Sequence, residues 1–435
     1  MIENFVFSLL LILAVLLFTK NVRRIAQNIL MGKKAGINDQ KPRRWKTMAR
    51  VAIGQSKMGS RPISAVLHIF VYVGFIVINI EMLEILIDGV FGTHRILAFL
   101  GAIYPVLISM FEILALLVIL ACVFFLTRRN LVKVPRFWNR EMTTWPRSDA
   151  NIILVTEILL MSSILVMNAA DGLLQERGHT YYAAMGTFLV SDMMQPWFAG
   201  MSEGALINLE RATWWFHIVG VFIFLNYIPY SKHFHIFLSF PNVWYSKLGP
   251  LGKMDNMPAI TNEVKMMLDP SGAQDMPAEG EEDIGQFGAK EATDLTWKHL
   301  MDAYTCTECG RCTSSCPANI TGKKLSPRKV VMDVRDRMEE IGKLVGKKGK
   351  DATDGNSLFD RITDEELWAC TTCNACTHEC PVNIDPLVVI LELRRYLVME
   401  KASAPGEINT TFSNIENNGA PWQFSHEDRM EWAEK

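Results

Sequence analysis

The 435-residue chain lacks the local signatures by which most enzymes hold a nucleotide or activate a nucleophile. It has no phosphate-binding glycine loop, no dinucleotide fingerprint, no nucleophile elbow and no metal-hydrolase helix. No substrate-transforming centre of its own is therefore legible. It also lacks a basic stripe interleaved with aromatics, and its 44 basic and 46 acidic residues nearly cancel, so nucleic acid is not an expected partner. Cysteine is scarce outside two short stretches. Of nine, only Cys122 stands alone, in an apolar run where it reads as a small core residue. The other eight fall into C-x-x-C spacings, which point to metal or redox chemistry in a reducing compartment rather than to disulfides.

Apolar sequence is abundant and unevenly spread. Hydrophobic residues make up 49% of the chain, and almost all long apolar runs precede residue 241, whereas most acidic residues follow it. That pattern joins an apolar part to a polar part, in a chain long enough for two or three domains. Five segments, residues 5–19, 63–87, 96–126, 152–170 and 213–230, approach or exceed the roughly 20 residues needed to cross a bilayer. The first is read as an uncleaved helix. Its leading residues carry no positive charge, and Lys20, Arg23 and Arg24 follow it where a small-residue cleavage site would stand. The third is long enough to tilt, project or kink near Pro105. Residues 181–198, apolar but interrupted by Asp192 and Pro196, are expected to lie at the membrane interface.

The loops set an orientation. Residues 20–61 hold twelve Lys/Arg and residues 128–147 hold six more, whereas Arg95, Arg177 and Arg211 are the only ones in the other two loops. The positive-inside rule places the N-terminus outside and everything after Tyr230 in the cytoplasm of a prokaryotic cell. The expected architecture is mostly α: a five-helix transmembrane domain over residues 1–250, an acidic linker over 251–296 with its acidic run at 279–283, a cluster-binding domain over 297–400 and a tail over 401–435.

Histidines mark the spans. His217 and His235 are 18 residues apart, five turns of a continuous helix, so they would share one face near opposite membrane edges, with His233 pointing elsewhere. Pro229 interrupts that helix. His68 falls at the depth of His235 and His94 near that of His217. Two pairs of neutral imidazoles at two depths are what a pair of bis-histidine b haems needs. Carboxylates also fall within the spans. Glu81 and Glu84 stand close to an end and read as interfacial. Glu112 and Glu157 are deeper, and either carry protons to a quinone or pair with a neighbour as buried acids.

The five-span layout and the run Phe216-His217 to His233-Phe234-His235 resemble the cytochrome b subunits of respiratory nitrate reductase and heterodisulfide reductase, the nitrate reductase gamma-like fold. The resemblance implies b haem and membrane quinone (menaquinone), with His217 and His235 matching the two histidines of that family's last span. His68 matches the inner histidine of its second span. Eleven residues on, where that family carries another, stands Asn79. The implied pairs are His68 with His235 for an inner haem and, by depth, His94 with His217 for an outer one.

The sharpest motifs follow. Cys306, Cys309, Cys312 and Cys316, with Pro317 behind, are repeated 64 residues later as Cys370, Cys373, Cys376 and Cys380, with Pro381 behind. Zinc needs four ligands but has no use for a third cysteine at the same interval or for the proline. The run resembles the bacterial ferredoxin pattern, whose first three thiolates hold one cubane while the fourth reaches the other. The resemblance implies two [4Fe–4S] clusters, one on Cys306, Cys309, Cys312 and Cys380, the other on Cys370, Cys373, Cys376 and Cys316. Helical patterns between and after the motifs make this an α-helical ferredoxin domain, similar to the heterodisulfide reductase C subunit. Together the parts resemble membrane-bound electron-transfer-flavoprotein:menaquinone oxidoreductases without their cysteine-rich CCG domains. The resemblance implies the electron-transfer subunit of a quinone-linked oxidoreductase, served in trans by a CCG-domain subunit or an electron-transfer flavoprotein. Trp422, Phe424, Met430 and Trp432 in the tail are the expected docking residues. The alternative is a membrane-anchored ferredoxin with no haem or quinone site.

Overall fold

A computed structural model describes residues 2–182, 186, 188–268, 286–349, 351–425 and 427–434; the acidic run expected at 279–283 lies outside them. Helices account for nearly all regular structure, and among the described residues the one β-bridge is an isolated contact between Lys33 and Thr296. The chain divides into two units. The first comprises Met1–Gln27, Gln40–Trp244 and Tyr304–Gly310, and the second Asn28–Asp39, Tyr245–Ala303 and Arg311–Lys435.

The first unit is built on α1 (Ile2–Leu30), α3 (Pro62–Phe91), α4 (Ile103–Asn130), α5 (Thr144–Glu176) and α6 (Glu203–Tyr227), with a short α2 (Lys41–Met48) and α7 (His235–Trp244). The five long helices are each apolar enough to cross a membrane. Their outward faces carry bare apolar side chains such as Leu16, Ile63, Leu83, Leu120 and Ile223, a surface that lipid satisfies and water does not. Inward, Phe7, Ile164, Trp214 and Ile218 join α1, α5 and α6, and Ile78, Ile108, Phe111 and Leu165 join α3, α4 and α5. Close contacts rely on small residues: a Cβ on Gly89 would lie 2.5 Å from the Phe7 ring, so α1 seats on α3 only because that position is bare.

Two expectations about these helices change. The third span is not one kinked helix. A 3₁₀ turn at Ile96–Leu100 precedes α4, and Pro105 falls in the first turn of α4, where a missing N–H costs nothing. The last span is not continuous to His235 either. α6 stops at Tyr227, a 3₁₀ turn at Ile228–Tyr230 follows, Ser231 is extended, and a second 3₁₀ turn at Lys232–Phe234 leads into α7. Pro229 has reset the helical phase.

Glu81 and Glu84, near one end of α3, are buried within the bundle. Around them a polar network closes one end of the bundle. Arg95, in a left-handed conformation (φ 51°), donates from Nε to Asp171 at 2.6 Å, from Nη2 to Asn168 at 2.8 Å and from Nη1 to the Tyr104 hydroxyl at 3.2 Å. Asn168 passes the network to Glu112, which also accepts from the N–H groups of Val190 and Ser191 and from the Ser191 hydroxyl. The segment expected at the interface is thus bonded to α4 through Val190 and Ser191, and Phe188 is buried against it.

The second unit holds α8 (Pro258–Leu268), α9 (Trp297–Thr305, whose end passes into the first unit), α10 (Arg311–Ser314), α11 (Pro317–Ile320), α12 (Pro327–Lys348), α13 (Asp364–Trp368), α14 (Ala375–Glu379), α15 (Pro386–Met399) and α16 (Gly406–Asn418). α12 buries Val330, Val331, Val334 and Met338 at helical spacing and packs on α15, which buries Leu387, Ile390 and Leu393. Arg337 holds the intervening loop, donating to both oxygens of Asp354 at 2.8 Å and to the Asn356 carbonyl at 3.0 Å.

Breaking a buried ion pair leaves a bare charge and costs about 3–5 kcal/mol, whereas an exposed pair is worth about 0–1 kcal/mol. Asp171→Asn should therefore lower the unfolding free energy in detergent by about 3 kcal/mol or more. Glu365→Gln, which breaks the exposed pair with Lys324, should leave it within about 0.5 kcal/mol. Equal effects would show that the network does not hold the bundle.

Candidate redox sites

The two cysteine loops share one backbone geometry. Glu308 and Thr372, each two residues after its loop's first cysteine, have φ of 54° and 55°, and Gly310 and Asn374 follow at 72° and 60°. Such left-handed residues turn the chain tightly. As a result the Glu308 N–H donates to Cys306 Sγ and the Thr372 N–H donates to Cys370 Sγ, both at 3.4 Å. Two loops 64 residues apart that aim an amide at the first sulphur are preorganised for thiolate charge. The repeat itself signals this, since glycine and asparagine are the residues that tolerate the left-handed region.

Within the second unit α10, carrying Cys312, packs against α14, carrying Cys376. Burial pushes the Cys370 thiol up, and Cys316 and Cys373 stand close enough to add to that shift. Burial likewise pushes Cys376 up to about 12, with Cys370 contributing. The structure thus brings Cys316 beside members of the second motif. Iron in such a site supplies one-electron transfer and holds the thiols as thiolates. Arg394, unmarked by any sequence motif, donates from Nη2 to the carbonyls of Leu367 and Cys370 at 2.6 Å and lies over the Trp368 ring. It fixes the second loop and sets a positive charge beside it. Cys373 is exposed, whereas Cys316, Cys376 and Cys380 are buried. His378 is exposed.

The histidines of the first unit fall into separate settings. His217 is buried, its Nδ1 3.0 Å from the Leu160 carbonyl and 3.3 Å from the Ser163 hydroxyl. His235 Nδ1 is 2.9 Å from the Lys232 carbonyl. An imidazole whose Nδ1 is tied to a carbonyl presents Nε2 as a ligand. The His233 ring is 5.8 Å from that of His235, its Nε2 is buried without a hydrogen-bond partner, and it lies within electrostatic reach of His68. Burial pushes His233 down to about 3 and lowers His235, so both are neutral, as metal ligands must be. These residues fit a bis-histidine haem site, with His68, His233 and His235 gathered together. His94 instead packs against the Tyr181 and Tyr182 rings, with Nε2 3.7 Å from Asp171.

The expected proton groups also separate. Glu112 is occupied by four hydrogen bonds from Asn168, Val190 and Ser191. Glu157 is half-buried on α5, near Cys122 of α4. Lys232, beside His233, is paired with Glu308 at 2.5 Å and with the Pro146 carbonyl at 2.6 Å. Within the first unit, therefore, the histidine segment and the first cysteine loop share a buried ion pair.

Residues 305–384 match the 4Fe-4S dicluster domain family. The chain is similar to "Probable iron-sulfur-binding oxidoreductase FadF" of Bacillus subtilis, with 27% identity over 97% of this chain and 59% of that protein. It is 29% identical to "EtfAB:quinone oxidoreductase" of Syntrophomonas wolfei over 56% of this chain and 34% of that protein. It is also 34% identical to "Probable membrane-anchored ferredoxin" of Chromohalobacter salexigens over 34% of this chain and 24% of that protein. The chain spans less than two thirds of the length of each of these relatives. No solved structure matches it. The chain thus joins five helices long and apolar enough to cross a membrane to a 4Fe-4S dicluster domain, and its relatives are named as oxidoreductases and a ferredoxin.

Crossed ligation makes a sharp prediction. In Cys316→Ser, the electron paramagnetic resonance signal of the cluster on Cys370, Cys373 and Cys376 should be altered, while that on Cys306, Cys309 and Cys312 persists. Iron and sulphide in the unmodified protein should each be about eight per chain. Loss confined to the first cluster, or stoichiometric zinc, contradicts the assignment.

Proposed function

We propose that this chain is the membrane subunit of a quinone-linked oxidoreductase complex, passing electrons between membrane quinone and a cytoplasmic protein partner. A b haem and two [4Fe–4S] clusters carry them, on the cysteine sets given above. The observation that carries this reading is the presence in one chain of two amide-braced cysteine loops and of His233 and His235 side by side, His235 with Nδ1 tied to a carbonyl. His68 and His235 are the axial ligands of the inner haem: His235 is the inner histidine whose Nδ1 is tied to a carbonyl. The His94–His217 pair finds less support, because His94 is engaged with Asp171, Tyr181 and Tyr182, and His217 with Leu160 and Ser163. The Lys/Arg excess of residues 20–61 and 128–147 argues for an N-terminus outside and cysteine loops in the cytoplasm.

The partner is of the CCG-domain or electron-transfer-flavoprotein type, in keeping with the printed name of the Syntrophomonas relative. Cys373 is exposed, as an electron exit must be. Phe412 and Ile415 of α16, with Trp422, Phe424, Met430 and Trp432 beyond it, are bare apolar side chains, and aromatic residues of this kind anchor interfaces. Co-purification with and without residues 419–435 tests this surface: retention of the partner by the shortened chain argues against it.

The reading with no haem is separated by one spectrum. Dithionite-reduced protein should show the α-band of b haem, and His68→Ala and His235→Ala should each remove one haem while His233→Ala keeps it. Loss of haem in His233→Ala but not in His235→Ala would assign the ligand to His233, whose Nε2 is the unpartnered one. No α-band at all would leave a membrane-anchored ferredoxin.

A further inference from the structure

The end of the bundle closed by Arg95 contains a cavity of about 140 Å³ between α1, α3, α5 and α6. An engineered cavity of about 150 Å³ accepts one benzene ring, so this one is of a size to take one ring of a quinone headgroup. Phe7, Met167, Trp214 and Trp215 line it together with a larger set of charged and polar side chains, Glu81, Asp88, His94 and Glu210 among them. A space lined by aromatic rings and convergent polar groups can take a ring that itself carries polar atoms.

Glu81 distinguishes the cavity from a packing defect. It is 2% exposed, and its Oε1 has no hydrogen-bond partner. Its neighbour Glu84, one turn on, is fully employed by the Leu97 N–H and the Tyr104 hydroxyl. An unsatisfied carboxyl inside a membrane bundle is costly, and the network next to it satisfies Glu84, Glu112 and Asp171 but not Glu81. The unused group faces a ring-sized space.

We propose that this cavity is the quinone site, with one quinone ring against Phe7 and Trp214 and a carbonyl oxygen at Glu81 Oε1. The proposal rests on the quinone reading above, and it moves the proton role from Glu112 and Glu157 to Glu81. It also gives His94 to the quinone rather than to a haem, because the space it lines fits one ring and not a four-pyrrole macrocycle. Reduction of quinone to quinol adds two electrons and two protons. A b haem held by His68 and His235 would supply the electrons one at a time, each oxidation from iron(II) to iron(III) being followed by re-reduction from the iron–sulphur clusters. One proton passes from the Glu81 carboxyl to one carbonyl oxygen, and the other from the His94 imidazolium to the second. Both groups are recharged from solvent, and quinol oxidation runs the same steps in reverse. Burial lowers His94, and the neighbouring Asp171 partly offsets this.

The test uses the full chain with its haem and clusters in detergent. Binding is read by fluorescence quenching of the quinol analogue 2-heptyl-4-hydroxyquinoline N-oxide. Proton transfer is read by haem reoxidation after the reduced protein is mixed with 2-methyl-1,4-naphthoquinone. General acid–base groups contribute about 10²–10⁴-fold, so Glu81→Gln should slow reoxidation about 100-fold or more and flatten its pH profile while retaining analogue binding. Ile85→Trp, which fills the cavity wall, should abolish binding with haem and cluster spectra intact. If the unmodified protein neither binds the analogue nor is reoxidised, the quinone reading falls and this site with it. If it does both and Glu81→Gln matches it in rate and pH profile, the cavity assignment is overturned while the quinone reading stands.

Discussion

The first unit depends on one buried cation. Arg95 sits among apolar helices, where an unpaired charge would cost several kcal/mol, so the chain must bring acceptors to it. Asp171 supplies the counter-charge, and Asn168 and Tyr104 take the remaining donors. From there the bonds run outward to Glu84, to Glu112 and to the backbone of Val190 and Ser191. α3, α4, α5 and the 188–191 segment are thereby fixed against one another by directional contacts, which lipid cannot compete for. Apolar packing alone discriminates poorly in a bilayer, because lipid tails match the side chains. The same network leaves Glu81 outside it.

The cysteine loops solve a different problem. An iron–sulphur loop must wrap a bulky charged inorganic core with backbone, and this requires residues that accept a left-handed conformation. The two loops meet the requirement at matched positions, Glu308 with Gly310 and Thr372 with Asn374. Around the second loop, Arg394 ties together the carbonyls of Leu367 and Cys370. α12 and α15 provide the apolar slab that such a small, loop-rich assembly could not build from its loops. The first unit carries the five long apolar helices, and the second carries six of the eight motif cysteines.

How much of this could be read in advance depends on the kind of signal. The five spans were legible because hydrophobicity over about 20 residues is a length-scale signal that tertiary structure does not overrule, and the cysteine repeat because metal ligation demands fixed spacing. The histidine phase was not, because it assumed one helix through Pro229. The chain instead leaves the α-helix at Tyr227, and the 18-residue spacing of His217 and His235 lost its meaning. The sequence marked Glu81 and Glu84 by their position near a span end but not the burial they acquire beneath Arg95, which folds back from the adjoining loop onto Asp171, Asn168 and Tyr104. A loop residue's direction is set by backbone turns that local sequence does not encode. Arg394 was invisible for a related reason: its partners are carbonyls, which carry no sequence mark.

The central claim is that quinone and clusters communicate through haem in this one chain. Stopped-flow mixing of fully reduced protein with oxidised naphthoquinone, followed at the haem α-band and at the broad visible absorbance of the clusters, measures that directly. The account predicts haem oxidation first, cluster oxidation after it, and clusters that remain reduced in a haem-free variant. Clusters that reoxidise at the same rate with and without haem would contradict it.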